Sequence, residues 1–207
     1  LAQGNKAAAI ESFHTAIKEN PNLMQPYYAL AKIYLSDKQE KKAIVQYEAV
    51  LKVNPNQPQP HKHIGDIYDS LKQYHMTKKH YRAALGINPE FAPAANNLAF
   101  ILVDQDKNLN EALGLAQKAK EKLPDSPYVM DTLGWVYYQK GLYDSAIGEF
   151  SDSLAKLPDN PVVNYHLGMA YYKKGDTARA KEQLEKALSL QADFPGADEA
   201  RRALAEL

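Results

Sequence analysis

The chain of 207 residues has no cysteine, a single tryptophan and no net charge, with 25 Lys+Arg set against 25 Asp+Glu. The missing cysteine excludes disulfides, thiolate metal sites and a cysteine nucleophile, but a cysteine-free chain folds in either redox environment, so no compartment follows. The even charge balance removes the electrostatic case for nucleic acid or an anionic membrane surface. No apolar run approaches the roughly 20 residues of a membrane-spanning helix. Also absent are the glycine-rich phosphate loops G-x-G-x-x-G and G-x-x-x-x-G-K and the nucleophile elbow G-x-S-x-G, which leaves nucleotide-dependent and serine-hydrolase chemistry without a motif. What is present is a hydrophobic share of 45%, ordinary for a folded chain and too high for a disordered one.

The organisation is periodic. Pro21, Pro55, Pro89, Pro124 and Pro158 lie 34, 34, 35 and 34 residues apart. In the same phase run Ala31, Gly65, Ala99, Gly134 and Gly168; Ala9, Ala43, Thr77, Ala112, Ala146 and Ala180; and Phe13, Tyr47, Tyr81, Ala116, Phe150 and Leu184. A further series is Tyr34, Tyr68, Leu102, Tyr137 and Tyr171. Within each period apolar residues recur at three- and four-residue spacing in two segments, as in Leu133, Val136, Tyr137 and then Ala146, Ile147, Phe150, which predicts two helices. Turn residues separate them at Lys140-Gly141, Lys174-Gly175 and Ser36-Asp37. Ser126-Pro127 and Asn160-Pro161 read as an N-cap followed by proline at the first helical position. The small residues of the Gly65 and Ala146 series let paired helices approach, and the large residue of the Phe150 series fills the space between them. One such unit cannot bury its apolar face alone, so units must stack.

Leu133-Gly134-x-x-Tyr137, Gly141, Ala146, Phe150 and Pro158, and again Leu167-Gly168-x-x-Tyr171, Gly175, Ala180 and Ala187, resemble the tetratricopeptide repeat. The resemblance covers essentially the whole chain. It implies an all-α fold, a right-handed α–α superhelix or solenoid of stacked helix-turn-helix units. The first tryptophan of the family pattern is replaced throughout, by Tyr27, His61, Ala95, Met130 and Asn164. The third unit has one extra residue near Asp104 to Asn108, expected as a slightly longer turn. The array is expected to divide as a partial repeat at 1–23 holding only a second helix, full repeats at 24–57, 58–91, 92–126, 127–160 and 161–194, and a capping helix at 195–207. On this register Leu1 falls inside a unit, and the chain is expected to be a piece of a longer protein with further repeats upstream. One face of the capping helix carries Ala197, Ala200, Ala203 and Leu204.

His61 and His63 point about 200° apart on a helix and cannot share a metal from one face; His75 and His80 are also poorly spaced. His61 is expected as a packed, neutral histidine. No carboxylate spacing marks a buried catalytic pair, and the chain is expected not to be an enzyme and to need no cofactor or metal. In a stacked array the first helices line the concave side. There the i, i+4, i+7 stripe Asp131, Trp135, Tyr138 faces the groove, with Tyr28, Lys62, Asp66, Asn96, Phe100, Tyr165, Met169 and Tyr172 in corresponding slots and Tyr128 at the head of its helix. The stripe is polar and charged in its N-terminal part and aromatic in its C-terminal part. Aromatics with polar tips dominate binding hot spots. Packing against neighbouring helices is the competing reading for Trp135, Phe100 and Met169, whereas Tyr138, Tyr165 and Tyr172 are expected to be open to a ligand. Asn96 and Asn97 can offer amide donors and acceptors to an extended backbone.

Some tetratricopeptide domains grip the C-terminal carboxylate of chaperone tails with a set of Lys, Asn and Arg. Lys62 and Asn97 match two of those places, but Asp66 stands where asparagine is needed and Tyr128 and Thr132 replace two cations, so a chaperone-tail reader is not expected. Residues 24–91 carry ten basic and six acidic residues, a net of +4, and residues 92–160 six basic and ten acidic, a net of −4; ordinary solvated faces explain this, and orientation of a polar partner is the alternative. The expectation is therefore a non-catalytic interaction module that binds a peptide or partner protein in its groove, as an adaptor or scaffold in a bacterial assembly. The competing readings are a structural spacer, a self-assembling array pairing through its N-terminal repeat edge, or a regulatory domain of a larger enzyme or of an envelope or exopolysaccharide-export protein. Nucleic-acid binding and direct membrane insertion are not expected. Nothing in the sequence chooses between bacterial cytoplasm and periplasm.

Overall fold

Asn20, Asn54 and Asn88 explain the loops that carry the prolines. Each side-chain carbonyl accepts from the backbone N–H two residues on, at 3.1, 3.1 and 3.0 Å, bridging the intervening Pro21, Pro55 and Pro89. These are Asx turns, in which the side chain does what a backbone carbonyl would do. They recur with the sequence period because the same turn recurs.

The structure is a computed structural model that describes residues 2–207, with side chains from residue 5 on. The expectation that falls on Leu1 lies outside the described residues. Among them twelve α-helices and no strand are found: α1 Ala2–Glu19, α2 Met24–Ser36, α3 Glu40–Val53, α4 Pro58–Ser70, α5 Tyr74–Ile87, α6 Ala92–Ile101, α7 Leu109–Lys122, α8 Pro127–Gln139, α9 Tyr143–Lys156, α10 Pro161–Lys174, α11 Thr177–Leu190 and α12 Ala197–Glu206. A π-helical turn, Leu102–Asp106, continues α6. The fold class is that of all-α helical repeats. The chain divides into two compact units, Leu1–Ala94 and Ala95–Leu207.

In the first unit α2 packs on α3 and α4 on α5. Its core gathers Ala31, Ala43, Tyr47, Ile64 and Ile67. Gly65 is pressed against Tyr81, and a Cβ there would lie 2.5 Å from a ring carbon. In the second unit Gly134 is pressed against Phe150 at 2.6 Å in the same sense. The pairs Gly65–Tyr81 and Gly134–Phe150 each span sixteen residues, so the small-then-large pattern does bring paired helices into close contact. The second core is larger and joins Phe150, Val163, Leu167, Ala170, Leu184 and Ala200 from α9 through α12. α10 is buried along Val163–Tyr171 because α8, α9, α11 and α12 all pack on it.

Helix ends follow the sequence unevenly. Asn160 caps α10, accepting from Val162 and Val163 N–H at 3.0 and 3.2 Å. Ser126 occupies the equivalent position before α8, but its hydroxyl makes no capping bond. The turn between the two helices of each pair needs one residue in the left-handed region. Gly141 and Gly175 supply it in the second unit, and the equivalent places hold Lys38, Lys72 and Lys107 at φ of 55°, 56° and 53°. The residue that lengthens the third spacing to 35 is absorbed by the π turn rather than by a longer loop. There Asn108 N–H bonds back to the Leu102 carbonyl at 3.0 Å.

Candidate functional site

The aromatic stripe lies in the second unit, and three packed helices build it. α8 carries Tyr128, Asp131, Trp135 and Tyr138; α10 carries Tyr165, Met169 and Tyr172; α12 follows against α10. The π turn also touches α8, and α6 brings Phe100.

At the centre, His166 Nδ1 lies 2.7 Å from Asp131 Oδ1. Trp135 stacks on the His166 ring at 4.2 Å and on Tyr138 at 4.9 Å, nearly parallel to both. His166 also meets Phe150 and Tyr165 at 5.4 Å. The Asp131–His166 contact thus fixes the plane on which the tryptophan rests. Around Trp135 opens a cavity of about 210 Å³, lined by Phe100, Asp104, Trp135, Tyr165, His166 and Glu199 among others.

Two expectations of exposure are corrected. Tyr165 is only 3% exposed. Its hydroxyl donates to Glu199 of α12 at 2.7 Å, its ring meets Phe194 at 5.8 Å, and Gly196, at φ +103°, lies so close that a Cβ would stand 2.4 Å from the ring. Tyr138 is buried between Trp135 and Tyr143. Burial, then the nearby Glu199, Tyr143 and Tyr172, pushes the Tyr138 phenol up to about 12. Burial raises the Tyr165 phenol further, helped by its hydrogen bond to Glu199. Both phenols therefore stay neutral at physiological pH, and Tyr165 donates to Glu199. Met169 is buried as well. Tyr172 is part-buried and hydrogen-bonds Glu206. Residues of α12 lie against Tyr165, Met169 and Tyr172, whereas Tyr138 is closed in by Trp135 and Tyr143.

The accessible members are Phe100, 38% exposed, and Tyr128, 65% exposed. Tyr128 borders a separate hollow of about 400 Å³ against the Leu157–Pro161 loop. Asn96 donates to Asn97 Oδ1 at 3.2 Å, while Asn96 Oδ1 is buried with no hydrogen-bond partner.

The first unit holds the polar members. Lys62 pairs with Asp66 at 2.7 Å, and Tyr81 OH donates to the same carboxylate at 2.9 Å. Burial alone would raise the Asp66 carboxyl, but hydrogen bonds from His63, Lys62 and Tyr81 and the Lys62 charge outweigh it and hold it below its ordinary value. Tyr28 OH donates to Gln57 at 3.3 Å, and burial raises its phenol. His61 faces His80 of α5, Nδ1 to Nδ1 at 3.1 Å. Burial, then His61 and Lys79, lowers His80 to about 4, and burial lowers His61. A hydrogen bond between the facing nitrogens requires one ring to carry its proton on Nδ1 and the other on Nε2. Among the described residues no three His, Asp or Glu side chains gather as metal ligands.

Sequence reasoning passed over Asp104, His166 and Glu199. A signal existed for Glu199: it lies 34 residues beyond Tyr165, as Glu206 does beyond Tyr172. α12 thus stands in the register of a further first helix.

A family model described as tetratricopeptide repeat matches residues 1–64 and 137–207, and a second of the same description matches residues 63–91. The fold is similar to YrrB, a TPR protein with an unusual peptide-binding site, at 24% identity and TM-score 0.69, covering 93% of this chain and 99% of that one. It is similar to PilW, a widely conserved type IV pilus biogenesis factor, at 22% identity and TM-score 0.74, covering 88% and 86%. It is also similar to MamA from Desulfovibrio magneticus RS-1, at 18% identity and TM-score 0.68, covering 82% and 95%. No curated protein matches.

Proposed function

Because the chain belongs to the tetratricopeptide repeat family, whose members serve as interaction modules, we propose that it is a non-catalytic adaptor that holds an extended segment of a partner protein against the α6–α8–α10–α12 face of its second unit. The observation that carries this reading is Trp135. It is stacked on a fixed His166 yet borders an open cavity beside the exposed Phe100. A large aromatic held rigid at an open cleft loses little conformational entropy on binding, which is what a hot-spot residue needs. Tyr128 extends the same helix toward a second hollow. A role in a bacterial assembly draws support from the likeness in fold to PilW, a pilus biogenesis factor.

The test is capture of partners from bacterial lysates by the wild type and by Phe100→Ala/Tyr128→Ala, after circular dichroism shows equal helicity. Both side chains are exposed, so the variant keeps its core. Partners held by the wild type and lost by the variant support the reading. Equal capture by both overturns it, and capture by neither turns the weight to a spacer or self-assembling array.

A further inference from the structure

The cavity beside Trp135 has aromatic walls and an acidic rim. Phe100, Trp135 and Tyr165 present rings, while Asp104 and Glu199 present carboxylates; no lysine or arginine lines it. Arg202 and Lys173 border a neighbouring hollow, with Met169 and Tyr172, and Glu199 stands between that hollow and this cavity. Asp131 is engaged by His166, Asp104 accepts from Gln105 through one oxygen, and Glu199 accepts from Tyr165 through one oxygen. The volume of about 210 Å³ falls below the roughly 300–1,000 Å³ that encloses a whole small molecule. It suits one side chain of a longer segment.

A second observation points to the same place. The one residue that breaks the 34-residue period is accommodated in the π turn Leu102–Asp106, and that turn carries Asp104 to the rim. The faces of the rings are electronegative and attract cations, most strongly at tryptophan.

We propose that this cavity takes the cationic side chain, lysine or arginine, of an extended partner segment. The inference rests on the groove reading above and names its chemistry: the stem lies along Phe100 and Trp135, and the charged head meets Asp104 and Glu199.

Trp135 is the only tryptophan, so its fluorescence reports on this cavity alone. The probes are N-acetylated, C-amidated Gly-Lys-Gly and Gly-Arg-Gly, with norleucine and glutamate counterparts. The expected result is a saturable change in emission with the lysine or arginine probe. It should be about tenfold weaker in Asp104→Asn/Glu199→Gln, whose glutamine still accepts from Tyr165, and weaker again at high salt. An equal response to norleucine, no saturable response to either cation, or an unchanged response in the double variant each overturns the inference. The two readings separate in the capture experiment. Partners retained by Asp104→Asn/Glu199→Gln but lost by Phe100→Ala/Tyr128→Ala would overturn the cation site and leave the groove standing.

Discussion

At the scale of single residues, the close contacts decide most. Gly65 admits Tyr81 only because it has no Cβ. Gly65→Ala forces ring and backbone apart and is expected to cost about 1–3 kcal/mol, as overpacking does, read as a lower midpoint in thermal or urea unfolding. Lys72 holds a left-handed conformation at φ 56°, which costs an L-residue about 1–2 kcal/mol. Lys72→Gly should therefore stabilise, by up to about 1 kcal/mol once the added freedom of the unfolded glycine is subtracted. His80 titrates near 4 in the folded protein against about 6.5 unfolded. The unfolded chain then binds more protons between those values, so stability is lost as pH falls from about 6.5 toward 4. His80→Phe should lose less stability than the wild type over that window in urea melts. The His61–His80 facing pair could not be read from the sequence, because a separation of nineteen residues has no meaning until α4 and α5 are packed.

At the scale of elements, the repeat pattern made the helices legible and left their ends less so. Period, Asn-Pro loops and small-residue series all reflect contacts that recur in every copy. The caps do not recur. Asn160→Ala removes two capping bonds and should cost about 1 kcal/mol, whereas Ser126→Ala removes none and should cost less than about half of that; paired unfolding curves at one pH separate the two. The extra residue near Asp104 was visible as a spacing of 35, but its conformation was not. A loop and a π turn absorb one residue equally well in sequence, and only burial of Leu102 and Val103 favours keeping the backbone helical.

At the scale of the whole molecule, the candidate site was half legible. Helix phase placed Asp131, Trp135 and Tyr138 on one stripe of α8, and the structure adds the Asp131–His166 contact beneath Trp135. Phase says nothing of what a later helix covers, which is why Tyr138 and Tyr165 read as open. Tyr165 is closed over one period on, through Glu199 and Gly196, and Tyr138 by Trp135 and Tyr143. Removing residues 195–207 should therefore uncover Tyr165 and Tyr172, lower the midpoint of thermal unfolding by several degrees, and raise quenching of Trp135 by acrylamide.

The sixteen-residue pairing of glycine with aromatic has a kinetic consequence. Each pair closes a short loop, and loop closure of that length costs little entropy. A chain whose decisive contacts are this local folds from several starting points and in microseconds to milliseconds, so a nascent stretch carrying Gly65 through Tyr81 can form its hairpin before the residues around Trp135 have been synthesised.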